Sequence, residues 1–190
     1  MLIGSAMCTT LARRSLYACR VTQLFLAHGA SGNAAGLAPE IAGLGRRGIE
    51  AAAVQLPKGR AEAAMPAYLA AAPPSPATAI GGHSFGGRVA SLISAEHSYG
   101  GLVLLSYPLH APGAWERWEE RTAHWPRIAC PVLLLSGDRD PFARIALLRE
   151  AVQRLPNAEL VVYPGVGHGI GPVFDDALDR VAAFVRATFE

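Results

Sequence analysis

The sequence reads AIGGHSFGGR over residues 79–88. It contains the pattern Gly-x-Ser-x-Gly centred on Ser84, which is typical of a nucleophile elbow, a sharp turn from a strand into a helix with an exposed serine at its apex. Glycines are needed there because side chains would collide where the strand and helix meet. Apolar segments precede and follow the motif, at Ala77–Ile80 and Val89–Ser94. These apolar segments favour a nucleophile elbow over a glycine-rich turn that only packs tightly and takes no part in a reaction.

Apolar runs of strand length alternate with helical stretches from residue 21 onward. Uninterrupted apolar runs are typical of strands that are buried on both faces of a parallel sheet. The pattern predicts a three-layer α/β/α sandwich with a mostly parallel sheet of about six to seven strands and no cap domain. The predicted strands cover residues 22–27, 49–55, 77–80, 101–106, 131–136 and 159–163, and the predicted helices cover residues 34–47, 60–72, the stretch from the elbow to about 98, 142–155 and 174–189.

Residues 1–20 do not show this alternation of apolar strand segments and helical segments. They fit either one or two edge strands or an extension outside the fold, whereas residues 21–190 are predicted to form one domain. Arg13-Arg14 resembles the start of a twin-arginine export signal, but the apolar segment after it runs into His28-Gly29, which the fold needs as a strand end. The three cysteines form no CxxC pair. We therefore expect reduced thiols and a cytoplasmic protein.

Composition excludes several classes of partner. Of the 190 residues, 51% are hydrophobic and 17% are charged, and the net charge is only +2, which does not favour nucleic acid or an anionic membrane. Prolines interrupt the longest uncharged stretch, residues 63–87, so it is not a membrane helix. The sequence has no metal-ligand cluster, dinucleotide fingerprint or Walker loop. We expect a monomer or homodimer that binds a small molecule and needs no cofactor or metal.

A serine, two aspartates and a histidine that can act together follow three of the predicted strands. Ser84 follows the third strand, Asp138 and Asp140 follow the fifth, and His168 follows the sixth. The carboxyl ends of parallel strands meet at one edge of a sheet, where ligands bind. A serine hydroxyl needs a base, and the base needs an acid that fixes its tautomer. The order Ser, Asp, His therefore predicts a catalytic triad.

Two aspartates compete for the place of the acid. We favour Asp140, because the carboxylate must project beyond the strand end toward His168. Asp138 lies nearer the turn, where an aspartate side chain commonly bonds its own backbone. Asp138 remains the alternative.

Backbone donors must also stabilise the oxyanion that forms during acyl transfer. The N–H of Phe85, directly after the serine, is the first candidate, and that of Ala30 is the second. His28 is expected to hold the Ala30 loop in place. His83 is expected to point to the other side of the elbow, with a small chance of a direct role.

A long segment without a predicted strand, Tyr107–Ile128, separates the fourth strand from the fifth. The simplest interpretation is a short amphipathic helix that packs tryptophans on the sheet. The alternative is a partial rim for an acyl or alcohol pocket. We assign Trp125 to packing and leave Trp115 and Trp118 open. The possible pocket residues are His28, His83, Tyr107, Trp115 and Trp118.

Five motifs carry a family resemblance: LAHGA at 26–30, GHSFGGRVAS at 82–91, SYPL at 106–109, GDRD at 137–140 and GH at 167–168. With them, the chain resembles the α/β-hydrolase superfamily, and more narrowly its short, lidless, dienelactone-hydrolase-like branch, which includes the testis-expressed and non-specific-lethal-complex hydrolase-like proteins. The resemblance implies the α/β-hydrolase fold and a serine hydrolase of carboxylic esters, thioesters or lactones. It also implies that Arg88 is a structural anchor. Some relatives are scaffold or regulatory subunits, so a non-catalytic interaction protein is the alternative.

Overall fold

The computed structural model describes residues 23–189. Six strands in this range form a single sheet, and every neighbouring pair is parallel. The strands are β1 (Leu24–Ala27), β2 (Ala51–Val54), β3 (Ala79–His83), β4 (Gly101–Leu105), β5 (Val132–Gly137) and β6 (Ala158–Tyr163). Their order is β2-β1-β3-β4-β5-β6. The predicted parallel α/β sandwich is thus confirmed, whereas the expectations for residues 1–20 lie outside the described residues.

Helices occupy the segments between the strands and the segment after β6. They are α1 (Ala38–Arg46), α2 (Ala61–Ala71), α3 (Phe85–Ser94), α4 (Trp118–Thr122), α5 (Ile145–Val152) and α6 (Phe174–Phe189). The helix predicted for residues 34–47 is divided into a 3₁₀ turn, Ala34–Leu37, and α1. Asn33 caps the 3₁₀ turn by accepting the N–H of Gly36, and Pro39 lies in the first turn of α1, where a missing N–H costs nothing.

The two faces of the sheet bury alternate side chains. On β4, Leu102 and Leu104 contribute to one core cluster, and Val103 and Leu105 contribute to the other. Helices α2, α3 and α5 cover the first face, and α1 and α6 cover the second. Both faces of the sheet are therefore buried. This explains why the strand sequences are continuous apolar runs and do not alternate between apolar and polar residues.

The segment between β4 and β5 is a chain of short helical turns. Two 3₁₀ turns, Trp115–Arg117 and Trp125–Arg127, flank α4. Trp125 is fully buried and packs edge-on against Tyr107, with 5.1 Å between ring centroids. His124 lies 2.8 Å from the hydroxyl of Ser91 on α3. The segment is thus fixed to α3 and the core, as we expected for Trp125.

Tyr68 connects helix α2 to the two central strands. Its hydroxyl is fully buried and accepts the N–H of Gly81 at 3.0 Å. The single hydroxyl hydrogen has two carbonyl acceptors within reach, Gly81 at 2.6 Å and Phe25 at 2.8 Å. Burial raises the pKa of the phenol, so it stays protonated and can donate.

Tyr68→Phe should destabilise the fold, because it removes the buried hydroxyl that accepts the Gly81 N–H and donates to a carbonyl in the core. We expect a loss of about 1–3 kcal/mol in the free energy of unfolding, measured by urea denaturation. Tyr163→Phe is the matched control, since the Tyr163 hydroxyl donates to Asp176, whose side chain is 52% exposed. Equal losses in the two variants would contradict this role of Tyr68.

Stability should also fall in acid because of His124. Burial is the main cause that lowers its pKa to about 4, below the 6.5 of an ordinary histidine, and nearby Arg88 and Arg127 contribute. Between these values the unfolded chain binds more protons than the folded one, so the free energy of unfolding falls as pH drops from 6.5 to 4. His124→Gln should reduce the slope of the free energy of unfolding against pH, measured by urea denaturation at a series of pH values. An unchanged slope would contradict the assignment.

Candidate active site

Ser84 occupies the single position between β3 and α3. Its backbone has φ 50° and ψ −110°, a conformation that non-glycine residues rarely adopt. A Cβ at Gly86 would overlap the backbone of Ala27 on β1, and a Cβ at Gly82 would lie 2.5 Å from the Ala27 carbonyl oxygen. The glycines thus let β1 approach the turn, and the sharp bend predicted from the sequence is present.

Two hydrogen bonds join Ser84, His168 and Asp140 in a row. His168 Nδ1 lies 2.8 Å from Asp140 Oδ2, and His168 Nε2 lies 2.9 Å from Ser84 Oγ. A carboxylate only accepts, so Nδ1 carries the hydrogen and Nε2 is left to accept the serine hydroxyl. The Asp140 side chain is fully buried, whereas that of His168 is 21% exposed. The imidazole therefore faces the cleft while its acid is shielded from water.

The two aspartates make different contacts. One carboxylate oxygen of Asp140 accepts the Nδ1 hydrogen of His168, and the other accepts the N–H of Phe142 at 2.8 Å. Asp138 is exposed and accepts the N–H of Gly165 at 2.7 Å. Our expectation that Asp138 bonds its own loop was wrong, because the loop after β6 lies directly against it. It is Asp140 that bonds its own loop, while still reaching the histidine.

The loop that carries His168 is held at several points. The N–H of Arg139 donates to Val166 at 2.9 Å, and a Cβ at Gly137 would overlap the backbone of Val166. Beyond the histidine, the N–H of Gly169 donates to the hydroxyl of Ser106 at 3.1 Å. Ser106 is buried and has φ 49° at the end of β4. The loops after β4, β5 and β6 thus support one another.

The candidate oxyanion donors both belong to residues that line the cleft beside Ser84. Phe85 begins α3, so its N–H has no carbonyl partner within that helix. Ala30 lines the cleft beside Ser84. Its loop is held by His28, whose Nε2 accepts the N–H of Leu56 at 3.1 Å and whose Nδ1 lies 2.7 Å from the carbonyl of Gly29.

An open cleft of about 460 Å³ lies above Ser84. Of the possible pocket residues, His83 lines it, whereas His28, Tyr107, Trp115 and Trp118 do not. Tyr107 and Trp118 are buried in the core, and Trp115 is half exposed beside Arg144. The sequence left Trp115 and Trp118 open between the core and the rim, because its pattern does not show which face of this segment turns inward. The cleft residues that it did not assign to the pocket include Arg88, Pro108, His110, Arg121 and Phe142.

The sequence could have indicated two of these cleft residues from their spacing to Ser84 and Asp140. Arg88 lies one helical turn after Ser84, and Phe142 follows Asp140 by two residues. The ring of Phe142 contacts that of His168, with 4.6 Å between centroids. Arg121 has no such signal, because it reaches the cleft only through the path of the segment between β4 and β5.

His83 does not point away from the site, contrary to our expectation. Its ring lies 5.3 Å from that of His168, because β3 ends with the side chain of residue 83 under the loop after β6. Burial, followed by repulsion from His168, lowers the pKa of His83 to about 4. The ring is therefore neutral at pH 7 and places no second positive charge beside His168.

Among residues 23–189, no group of three or more histidine, cysteine, aspartate or glutamate side chains is arranged to hold a metal ion. None of the helices described is long and apolar enough to cross a membrane.

Solved structures with similar folds include known hydrolases. A monoacylglycerol lipase of Paleococcus ferrophilus aligns with a TM-score of 0.74 and 16% identity, over 87% of this chain and 94% of the lipase. Esterase Pf2001 of Pyrococcus furiosus aligns with a TM-score of 0.68 and 18% identity, over 87% of this chain and 81% of the esterase. A predicted CIB-like hydrolase of Thermoplasma acidophilum aligns with a TM-score of 0.63 and 20% identity, over 92% of this chain and 87% of that protein. At such low identities, these likenesses concern the fold.

A comparison with curated protein sequences gives no match. The family model described as an alpha/beta hydrolase domain matches residues 56–185, which span β3 to β6 and include the row of Ser84, Asp140 and His168. The chain therefore belongs to the α/β-hydrolase family.

Proposed function

We propose that this chain is a serine hydrolase that cleaves carboxylic esters, thioesters or lactones through an acyl-enzyme on Ser84. The observation that carries the proposal is the row of two hydrogen bonds, 2.9 Å from Ser84 to His168 and 2.8 Å from His168 to Asp140. This is the arrangement that nucleophilic acyl transfer requires.

In the first half of the reaction, His168 Nε2 accepts the proton of the Ser84 hydroxyl as the oxygen attacks the substrate carbonyl. Asp140 holds the imidazole in the required tautomer and stabilises the imidazolium that forms. The tetrahedral intermediate then collapses, and His168 gives the proton to the departing alcohol or thiol. The acyl group remains on Ser84 as an ester.

The negative charge of the tetrahedral intermediate is placed between the N–H groups of Phe85 and Ala30. Losing one donor of this kind typically costs about 3 kcal/mol of barrier. The position of Phe85 at the start of α3 adds the favourable field of the helix N-terminus. In the second half of the reaction, His168 activates a water that releases the acid from Ser84.

Three observations support an ester as substrate. The cleft is open, with a volume of about 460 Å³, and apolar side chains such as Phe85 and Phe142 share it with the polar groups. The similar folds include a lipase and an esterase. The hydrogen bond between Ser84 and His168 Nε2 supplies the base that attack on an ester carbonyl needs.

Further parts of the proposal rest on the sequence. The motifs around Ser84, Asp140 and His168 favour the lidless, dienelactone-hydrolase-like branch, with residues 21–190 as one domain. The absence of a CxxC pair in the sequence favours reduced cysteines and a cytoplasmic protein, and the basic residues are too scattered for nucleic acid. We propose a monomer or homodimer that acts without a cofactor.

A fluorophosphonate probe should test the nucleophile. We expect one label per chain in the wild-type protein and none in Ser84→Ala, measured by intact-protein mass spectrometry. Ser31→Ala is the matched control, because Ser31 lines the same cleft and should leave labelling unchanged. Labelling that persists in Ser84→Ala would remove Ser84 from the mechanism. A wild-type protein that is never labelled would favour the interaction protein instead.

A series of 4-nitrophenyl esters should test the size of the substrate. Because no cap domain covers the cleft among the described residues, we expect kcat/KM to be highest for short acyl chains and to fall for long ones. Every rate above background should disappear in Ser84→Ala. A maximum at long acyl chains would contradict the open-cleft interpretation.

A further inference from the structure

The cleft beside Ser84 is lined by positively charged groups but by no carboxylate, within the part of the chain that the structure describes. Arg88 and Arg121 carry the fixed positive charges of the cleft, and they lie beside three histidines, of which His83 is neutral at pH 7. A neutral ester can offer a guanidinium a carbonyl oxygen as hydrogen-bond acceptor, but it has no negative charge to balance the fixed positive charge of the guanidinium. The charge of the cleft is thus not explained by the reaction at Ser84.

A second depression of about 490 Å³ continues from the cleft, and the two share Phe85, Arg88 and Arg121. The lining of this depression contains four arginines and two glutamates, so two positive charges remain unbalanced. Glu62 pairs with Arg60 at 3.7 Å and with Arg88 at 3.2 Å, and Glu120 pairs with Arg117 at 2.8 Å.

Arg121 is the arginine of this group that lacks a carboxylate partner among residues 23–189. Its guanidinium makes one long hydrogen bond, 3.4 Å to the carbonyl of Pro108. Burial, followed by repulsion from Arg88, lowers its pKa. A partly buried cation that makes so few contacts can be stabilised by an anion that comes from outside the chain.

The backbone of Arg121 is held in place by two hydrogen bonds to its carbonyl oxygen. Its carbonyl accepts the hydroxyl of the buried Tyr107 at 3.1 Å and the guanidinium of Arg88 at 3.4 Å. The base of the side chain is therefore fixed before any ligand binds, which reduces the entropy lost on binding. Arg88 itself is occupied by Glu62 and by this carbonyl, in agreement with an anchoring role.

We propose that Arg121 binds a carboxylate carried by the substrate, so that the preferred substrates are esters with a free carboxylate in the acyl part. The inference rests on the hydrolase function proposed above. The planar guanidinium matches a carboxylate in a two-pronged hydrogen bond. Such a bond in a partly desolvated cleft should favour the carboxylate-bearing ester about tenfold or more over a neutral ester of equal size.

Matched pairs of 4-nitrophenyl esters test this preference. One member of each pair is a monoester of succinate, glutarate or adipate, and the other carries a carboxamide in place of the free carboxylate. We expect wild-type kcat/KM to be about tenfold or more higher for the carboxylate member of at least one pair. Added sodium chloride should reduce the ratio, since salt screens the partly exposed ion pair.

Arg121→Gln should bring the ratio of the two kcat/KM values close to one, mainly through a higher KM for the carboxylate member. Arg149→Gln is the control, because it removes an equal charge from an exposed site on α5, and it should keep the wild-type ratio. Arg121→Lys retains the charge and should keep part of the preference. It also tests the inference if Arg121→Gln fails to fold, which circular dichroism would reveal.

The outcomes separate the two proposals. Equal wild-type rates on both members, or the same ratio in Arg121→Gln and Arg149→Gln, would overturn the carboxylate site while leaving a Ser84-dependent esterase intact. No turnover of either member, with no fluorophosphonate labelling, would overturn the hydrolase and this inference together.

Discussion

The backbone of β1 approaches the turn around Ser84 so closely that no side chain fits between them, and the site depends on this approach. Gly82 and Gly86 supply the space, since a Cβ on either would meet the carbonyl group of Ala27. Between these glycines Ser84 adopts φ 50°, and its hydroxyl lies 2.9 Å from His168 Nε2. The surrounding sheet stabilises this strained residue through the hydrogen bond from the Ser84 N–H to the Leu105 carbonyl at 2.8 Å.

The loops that follow four of the strands contribute the other residues of the site. The loop after β1 carries Ala30, the loop after β5 carries Asp140, and the loop after β6 carries His168. The loop after β4 contributes Ser106, which bonds the backbone next to His168. Because all these strands are parallel, their carboxyl ends meet at one edge without long insertions. A chain of this size can thus bring Ser84, His168 and Asp140 together from single loops, as the proposed hydrolase requires.

Much of this architecture could be read from the sequence. Continuous apolar runs such as LVLL in β4 located the strands, and the glycines around Ser84 located the turn. Contacts that depend on side-chain direction were less accessible. The position of His83 beside His168 and the bond from Gly165 to Asp138 arise from how neighbouring loops lie against each other. The segment between β4 and β5 has tryptophans on several sides, so its pattern did not indicate that Tyr107 and Trp118 turn into the core and Arg121 into the cleft.

The account depends most on the buried carboxylate of Asp140 orienting His168 toward Ser84. Its most direct test compares kcat/KM of Asp140→Asn with that of Asp138→Asn on a short 4-nitrophenyl ester. The account predicts a loss of about three to four orders of magnitude for Asp140→Asn, because an amide stabilises neither the tautomer nor the imidazolium, and less than about tenfold for Asp138→Asn. A larger loss in Asp138→Asn, or near-wild-type activity in Asp140→Asn, would contradict it.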